Sequence, residues 1–232
     1  WVENARIEML ARLDAESDDL FQKAYTRMKG LLYEDNGYRR TIQDFRRVVQ
    51  LASPEDLKKF HSMYYVPNNI VISVVGDVTP EQALDRVNKA FAGVTAAKLP
   101  VYRGVPDESL ERSKSLASEE DLSVAYVMLG WLAPGVTSPD YPAVAVAVNA
   151  LGGGKGSFMF REIRQKQGMG YPVGTIYPRT RYQSHVIAYA ITDPFKVIVP
   201  RVGAVPNIDD VRAAIISQVD RLKAEPLSEA DL

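Results

Sequence analysis

SPEDLKKFHSMYYVPNNIVISVVGDV, residues 53–78, is the stretch whose reading decides the fold. Ser53 is a capping hydroxyl, Pro54 takes the first helical position, and Glu55 and Asp56 sit at the positive end of the helix dipole. This predicts a helix running to about Tyr65, which Val66-Pro67-Asn68-Asn69 stops. Ile70–Gly76 (IVISVVG) is dense in β-branched residues and reads as a buried strand. Asp77–Thr79 turns the chain, and Pro80–Ala92 returns to helical spacing with Ala83, Val87 and Phe91 on one face.

Upstream, Val2, Ala5, Met9 and Leu13 recur at helical spacing. A second helix is expected over 18–33, capped by Ser17-Asp18, with Leu20, Ala24, Met28 and Leu31 as its apolar stripe. Residues 34–40 (EDNGYRR) read as a turn. Downstream, 93–114 lacks long periodicity, carries Pro100, Gly104 and Pro106, and reads as a linker. Ser123–Leu132 reads as a strand, Tyr141–Leu151 as an apolar helix and Ser157–Lys166 as another helix. Tyr171–Tyr177 and Ser184–Ile191 read as a strand pair, and Ile208–Lys223 as an amphipathic helix. A further helix is expected to begin at Leu227. Helices and strands mix on both sides of the linker, so each side is expected to be an α+β layer of helices on a mostly antiparallel sheet.

Composition narrows the function classes. The chain has 232 residues, 46% apolar and 25% charged, enough for a sizeable core. A formal net charge of −1 gives no basic excess for nucleic acid. No apolar run is long enough for a membrane span, and no signal peptide is read at the start. Cysteine is absent, which excludes disulfides, thiolate metal sites and cysteine nucleophiles. The two histidines, His61 and His185, are far from the spacing of three or four that faces one ion from a helix. A catalytic zinc usually takes three protein ligands, so no metal site is assigned to this chain alone.

Three segments together resemble the pitrilysin/insulinase/mitochondrial-processing-peptidase family of zinc metallopeptidases. The first is Ser53-Pro54-Glu55-Asp56-Leu57 with Phe60, Tyr64-Tyr65, Pro67-Asn68-Asn69 and Val74-Val75-Gly76-Asp77. The second is Ala150-Leu151-Gly152-Gly153-Gly154 with Ser157, Phe158 and Phe160. The third is Arg164-Gln165-Lys166-Gln167-Gly168-Met169-Gly170-Tyr171. Their order and spacing make the match specific over nearly the whole chain. The resemblance implies two homologous α+β halves around a closed chamber, both incomplete here: 1–95 as the end of the first, 96–115 as the linker and 116–232 as most of the second. It implies an internal stretch of a longer protein, since the sequence opens on Trp1 within a helical pattern. It also implies a bacterial source and a periplasmic or cytoplasmic location.

The family's zinc site uses an HxxEH helix, with a glutamate on a later helix as third ligand. No HxxEH occurs in this sequence. The third-ligand helix resembles residues 2–13, where the ligand position falls on Arg12 and a supporting acid on Ala5; Glu3 and Glu8 are out of register. A guanidinium cannot coordinate zinc. Zinc is therefore expected in the assembled or full-length enzyme and not on this chain. Many family members contribute an Arg and a Tyr seven residues apart across the chamber, and Arg164 and Tyr171 match that spacing. Attack on a peptide carbonyl builds negative charge on oxygen, which an Arg and a Tyr hydroxyl stabilise.

Gly153, Gly154, Lys155 and Gly156 form a glycine turn before a helix. It lacks P-loop spacing, and reads as a turn at the chamber mouth where bare backbone approaches a peptide. Lys155 contacts substrate or is simply solvated. His61, beside Phe60 and Met63, reads as structural, as does His185. Ser184–Tyr189 (SHVIAY) suggests an exposed strand edge. The function expected is a non-catalytic chamber half that binds a peptide substrate beside a homologous half or subunit. Two other readings stay open: a catalytic endopeptidase with HxxEH upstream of Trp1, and a structural core subunit without peptidase activity.

Overall fold

The computed structural model describes residues 1–34, 36–101, 104, 107–198 and 203–228. The chain divides into two compact units: residues 1–13 with 43–103, and 14–42 with 104–232. These units follow packing and differ from the division into 1–95, 96–115 and 116–232 that the resemblance implies. Residues 14–42, expected with the first body, pack in one unit with 104–232.

The first unit contains the start of α1 (Val2–Asp18), α3 (Ile42–Leu51), α4 (Pro54–Tyr64) and α5 (Pro80–Ala90). The two sequence-predicted helix starts are reciprocal capping boxes. Ser53 Oγ accepts the Asp56 N–H, and Asp56 accepts the Ser53 N–H at 2.9 Å. Thr79 and Gln82 repeat the arrangement on α5. Each satisfies two of the donors a helix N-terminus leaves open. Asn68 Nδ2 donates to the Ala97 carbonyl at 3.0 Å while its Oδ1 accepts the Ala97 N–H at 3.2 Å. Arg6 donates to the carbonyls of Val49, Gln50 and Ala52, tying α1 to the end of α3.

The strand expected over Ile70–Gly76 is not formed. The segment is extended but unpaired among the described residues, and Val71 and Val75 are almost fully exposed. A β-branched run becomes a strand only when a neighbouring edge accepts its backbone hydrogen bonds, and no such edge exists among the described residues of this unit.

The second unit is built on a three-stranded antiparallel sheet of order β1-β3-β2: β1 (Ala125–Ala133), β2 (Val173–Ile176) and β3 (Ser184–Thr192). β3 is paired on both sides, so Ser184–Tyr189 is the sheet's centre and not the exposed edge expected. The side chains alternate faces with the period of two that a pleated strand dictates. Val127 of β1 and Ala188 and Ala190 of β3 join Leu151, Met159, Ile163, Val211 and Ile215 in the main core. That face is covered by α6 (Tyr141–Gly152), the helical segment after it and α7 (Ile208–Ala224). Met128, Leu132 and Ile187 point the other way, against α2 (Leu20–Leu32). A short antiparallel ribbon, β4 (Phe195–Ile198) with β5 (Gly203–Pro206), precedes α7.

Three smaller differences have local causes. The cap of α2 is Asp19, whose carboxylate accepts the N–H groups of Phe21 and Gln22, one residue past the expected Ser17-Asp18. The turn over 34–40 contains a single 3₁₀ turn at Gly37–Arg39, capped by Asn36. The helix expected from Ser157 to Lys166 becomes π-helical over Phe160–Lys166. The helix expected from Leu227 is not formed at Leu227 and Ser228, and the rest of it lies on residues 229–232, outside those described.

Candidate functional site

The Arg164–Tyr171 pair stands where α6 and the π segment meet the sheet. α6 ends at Gly152, and a Cβ there would lie 2.6 Å from the Thr175 side chain and 2.8 Å from its backbone nitrogen. Only glycine lets the helix end come this close to β2. Gly153, Gly154, Lys155 and Gly156 follow, all exposed, and a Cβ at Gly154 or Gly156 would meet nothing within 4 Å. The turn leaves open space beside its backbone. Ser157 closes it, donating from Oγ to the Gly154 carbonyl at 2.6 Å.

Met159 and Ile163 are fully buried and anchor the π segment in the core. Arg164 lies one residue past Ile163 and is half-buried. Its guanidinium carbon sits 4.8 Å from the centroid of Phe160 and 4.3 Å from that of Tyr171. Two aromatic faces thus hold one cation, each contact contributing roughly 0.5–1 kcal/mol at such partly exposed sites. Among the described residues Arg164 has no carboxylate partner and makes no hydrogen bond through its N–H groups. Its donors are held by stacking, which leaves their outward directions open. The neighbouring Lys166 pairs instead with Glu162 at 2.5 Å.

Gly168 has φ of +64°, a left-handed conformation that turns the chain out of the π segment. Tyr171 follows at the mouth of β2. Its backbone N–H donates to the Ile191 carbonyl at 3.0 Å, and the Ile191 N–H donates to the Pro172 carbonyl at 2.9 Å. The backbone is pinned to the sheet while the side chain stays 76% exposed. The structure therefore brings Arg164 and Tyr171 into direct contact, and sets the glycine turn at the other end of the same helical segment.

The described residues do not fit zinc. They contain no group of three His, Cys, Asp or Glu side chains placed to hold a metal. On α1, Arg12 and Ala5 are exposed and Glu3 is engaged by Arg6 at 3.2 Å. His61 stacks on Tyr65 with ring centroids 4.7 Å apart. His185 is 2% exposed, with both ring nitrogens taken by tyrosine hydroxyls. Sequence reading placed His185 as structural but missed those hydroxyls, which come from residues 152 and 160 positions away.

Residues 52–232 match the family described as "Peptidase M16 inactive domain", and the chain belongs to the peptidase M16 family, the pitrilysin-type zinc metallopeptidases. It is 25% identical over 215 residues to a zinc protease, PqqE, of Helicobacter pylori, covering 90% of this chain and 45% of that protein. It is also 25% identical over 175 residues to the "Non-peptidase homolog YmxG" of the same organism, covering 74% of this chain and 40% of the relative. A solved peptidase M16 inactive domain from Pseudomonas fluorescens superposes with a TM-score of 0.79 at 19% identity, over 99% of this chain and 53% of that one. The chain thus spans about half the length of the proteins it matches. No helix among the described residues is long and apolar enough to cross a membrane.

Proposed function

We propose that this chain supplies the non-catalytic half of a peptide-cleaving chamber, presenting Arg164 and Tyr171 to the substrate carbonyl at a zinc site held by a homologous half or subunit. The carrying observation is the guanidinium of Arg164, stacked between Phe160 and Tyr171 with no carboxylate partner among the described residues. A cation already paired with a carboxylate would have to break that bond before stabilising an oxyanion. A stacked one is pre-organised, and the preorganisation of donors is what makes oxyanion stabilisation large. The exposed Tyr171 hydroxyl is a second donor on the same patch. The open backbone at Gly154 and Gly156, with Lys155 between them and Gly153 leading into the turn against Asn149, supplies further contacts to an extended peptide. The relatives named zinc proteases support a metal in the full-length or assembled enzyme.

Arg164→Ala in the full-length, assembled protein is expected to lower kcat by about 100-fold or more while leaving the folded state intact. Tyr171→Phe, which keeps the stacked ring and removes the hydroxyl, should lower kcat without displacing Arg164. An unchanged rate in Arg164→Ala rules out this role. The relative named a non-peptidase homolog favours a second reading, a structural half without proteolytic function. That reading predicts no proteolysis in the wild type, and normal partner binding in Arg164→Ala.

A further inference from the structure

α2 covers the sheet face opposite the main core. Phe21 meets Tyr189 edge-on at 4.9 Å, and Tyr25, Met28 and Leu32 pack with Met128, Leu132 and Ile187. At the centre of this apolar contact lies one titratable group. His185, on the middle strand, is held at Nε2 by the Tyr25 hydroxyl at 2.9 Å and at Nδ1 by the Tyr33 hydroxyl at 2.8 Å. Tyr25 lies on α2 and Tyr33 caps its C-terminus. The imidazole is therefore the only sheet side chain hydrogen-bonded to both ends of this clasp among the described residues.

We infer that α2 is an acid-released strap: protonation of His185 loosens it from the sheet and uncovers the face carrying Met128, Leu132 and Ile187. A neutral imidazole offers one donor and one acceptor, so one tyrosine hydroxyl donates to it and the other accepts. Protonation turns both nitrogens into donors. The hydroxyl that was donating must then rotate and find another acceptor, in a site built from aromatic and aliphatic surface. The charged groups around the ring do not help. From α2 the Lys29 ammonium faces it, and burial already lowers the pKa of that lysine. The other titratable neighbours are Tyr25 on α2, Tyr33 and Tyr38 after it, and Glu108 from the segment before β1, which acts on Tyr33. No carboxylate hydrogen-bonds the imidazole among the described residues. Burial first, then Lys29, pushes the His185 pKa down from 6.5 to about 4.

The sign follows from linkage. The docked state refuses the proton and the released state takes it at the ordinary histidine value. Docking is therefore fully favoured above about pH 6.5 and weakens as the pH falls from there towards about 4. Release of α2 should become on the order of 30-fold more frequent between about pH 7.5 and about pH 5.

Hydrogen exchange on the intact protein, corrected for its intrinsic pH dependence, tests this. The expected result is a rise of that order in the opening of α2 amides at the lower pH, at a lower opening free energy than the α6 and α7 amides show, and no such rise in His185→Gln. Opening of α2 amides only together with α7, at one shared free energy, or a full rise in His185→Gln, overturns the inference. If His185→Gln does not fold, the wild-type imidazole titration followed by NMR decides: a midpoint near 4 supports the strap, and one at 6.5 or above overturns it.

Discussion

The two units are made from similar apolar content, yet they bury it very differently. In the second, Met159, Ile163, Ile187, Ala188, Ala190, Val211 and Ile215 are all fully enclosed. In the first, Val66 is the one buried residue among those described, and Phe45, Val48 and Leu51 lie exposed along α3 at helical spacing. The difference lies in layering. The second unit has a sheet with helices on both faces. The first has well-capped helices and a β-branched run that pairs with no strand among the described residues. Good caps and good periodicity define elements, but a core needs a second layer.

This contrast breaks first where its predicted effect is greatest. Ile187→Ala should destabilise the second unit by about 2–5 kcal/mol, whereas Val75→Ala should stay within about 0.5 kcal/mol. Chemical denaturation of both variants measures the gap, and equal losses would mean that the first unit is covered. Next comes pH. Because the folded state keeps His185 neutral, stability of the second unit should fall by about 2 kcal/mol between about pH 7 and about pH 5, and His185→Gln should flatten that slope. Ser53→Ala should cost about 1 kcal/mol of α4 stability. That loss should appear as faster exchange in α4 alone, leaving the sheet unaffected. Smallest is Lys166→Ala, which removes a pair with Glu162 and should lower the stability read from a thermal melt by only about a few tenths of a kcal/mol.

What could be read in the sequence was local. Ser53-Pro54-Glu55-Asp56 gave its capping box because every partner lies within three residues. The strand at Ser184–Ile191 and the amphipathic face of α7 were equally visible, and the α+β class follows from them. Arg164 and Tyr171 were legible as a pair through family spacing, but the stacking of Phe160 on the same guanidinium was not. What the sequence hid was long-range. Ile70–Gly76 has the residues of a strand, and no edge pairs with it among the described residues. The embrace of His185 by Tyr25 and Tyr33 joins segments more than 150 residues apart. Nothing in SHVIAY distinguishes an edge strand from a central one until both neighbours are known.

The π segment at Phe160–Lys166 has a consequence for how this region tolerates change in length. A π-helix holds more residues per turn than an α-helix, so it behaves as an α-helix that has absorbed an inserted residue. Met159 and Ile163 fix its buried side. Losing one residue between Met159 and Arg164 would let the ladder relax to ordinary spacing and swing the outward face by about 100°. Substitutions here trim one contact at a time, whereas a single deletion would re-aim the guanidinium away from both of its rings.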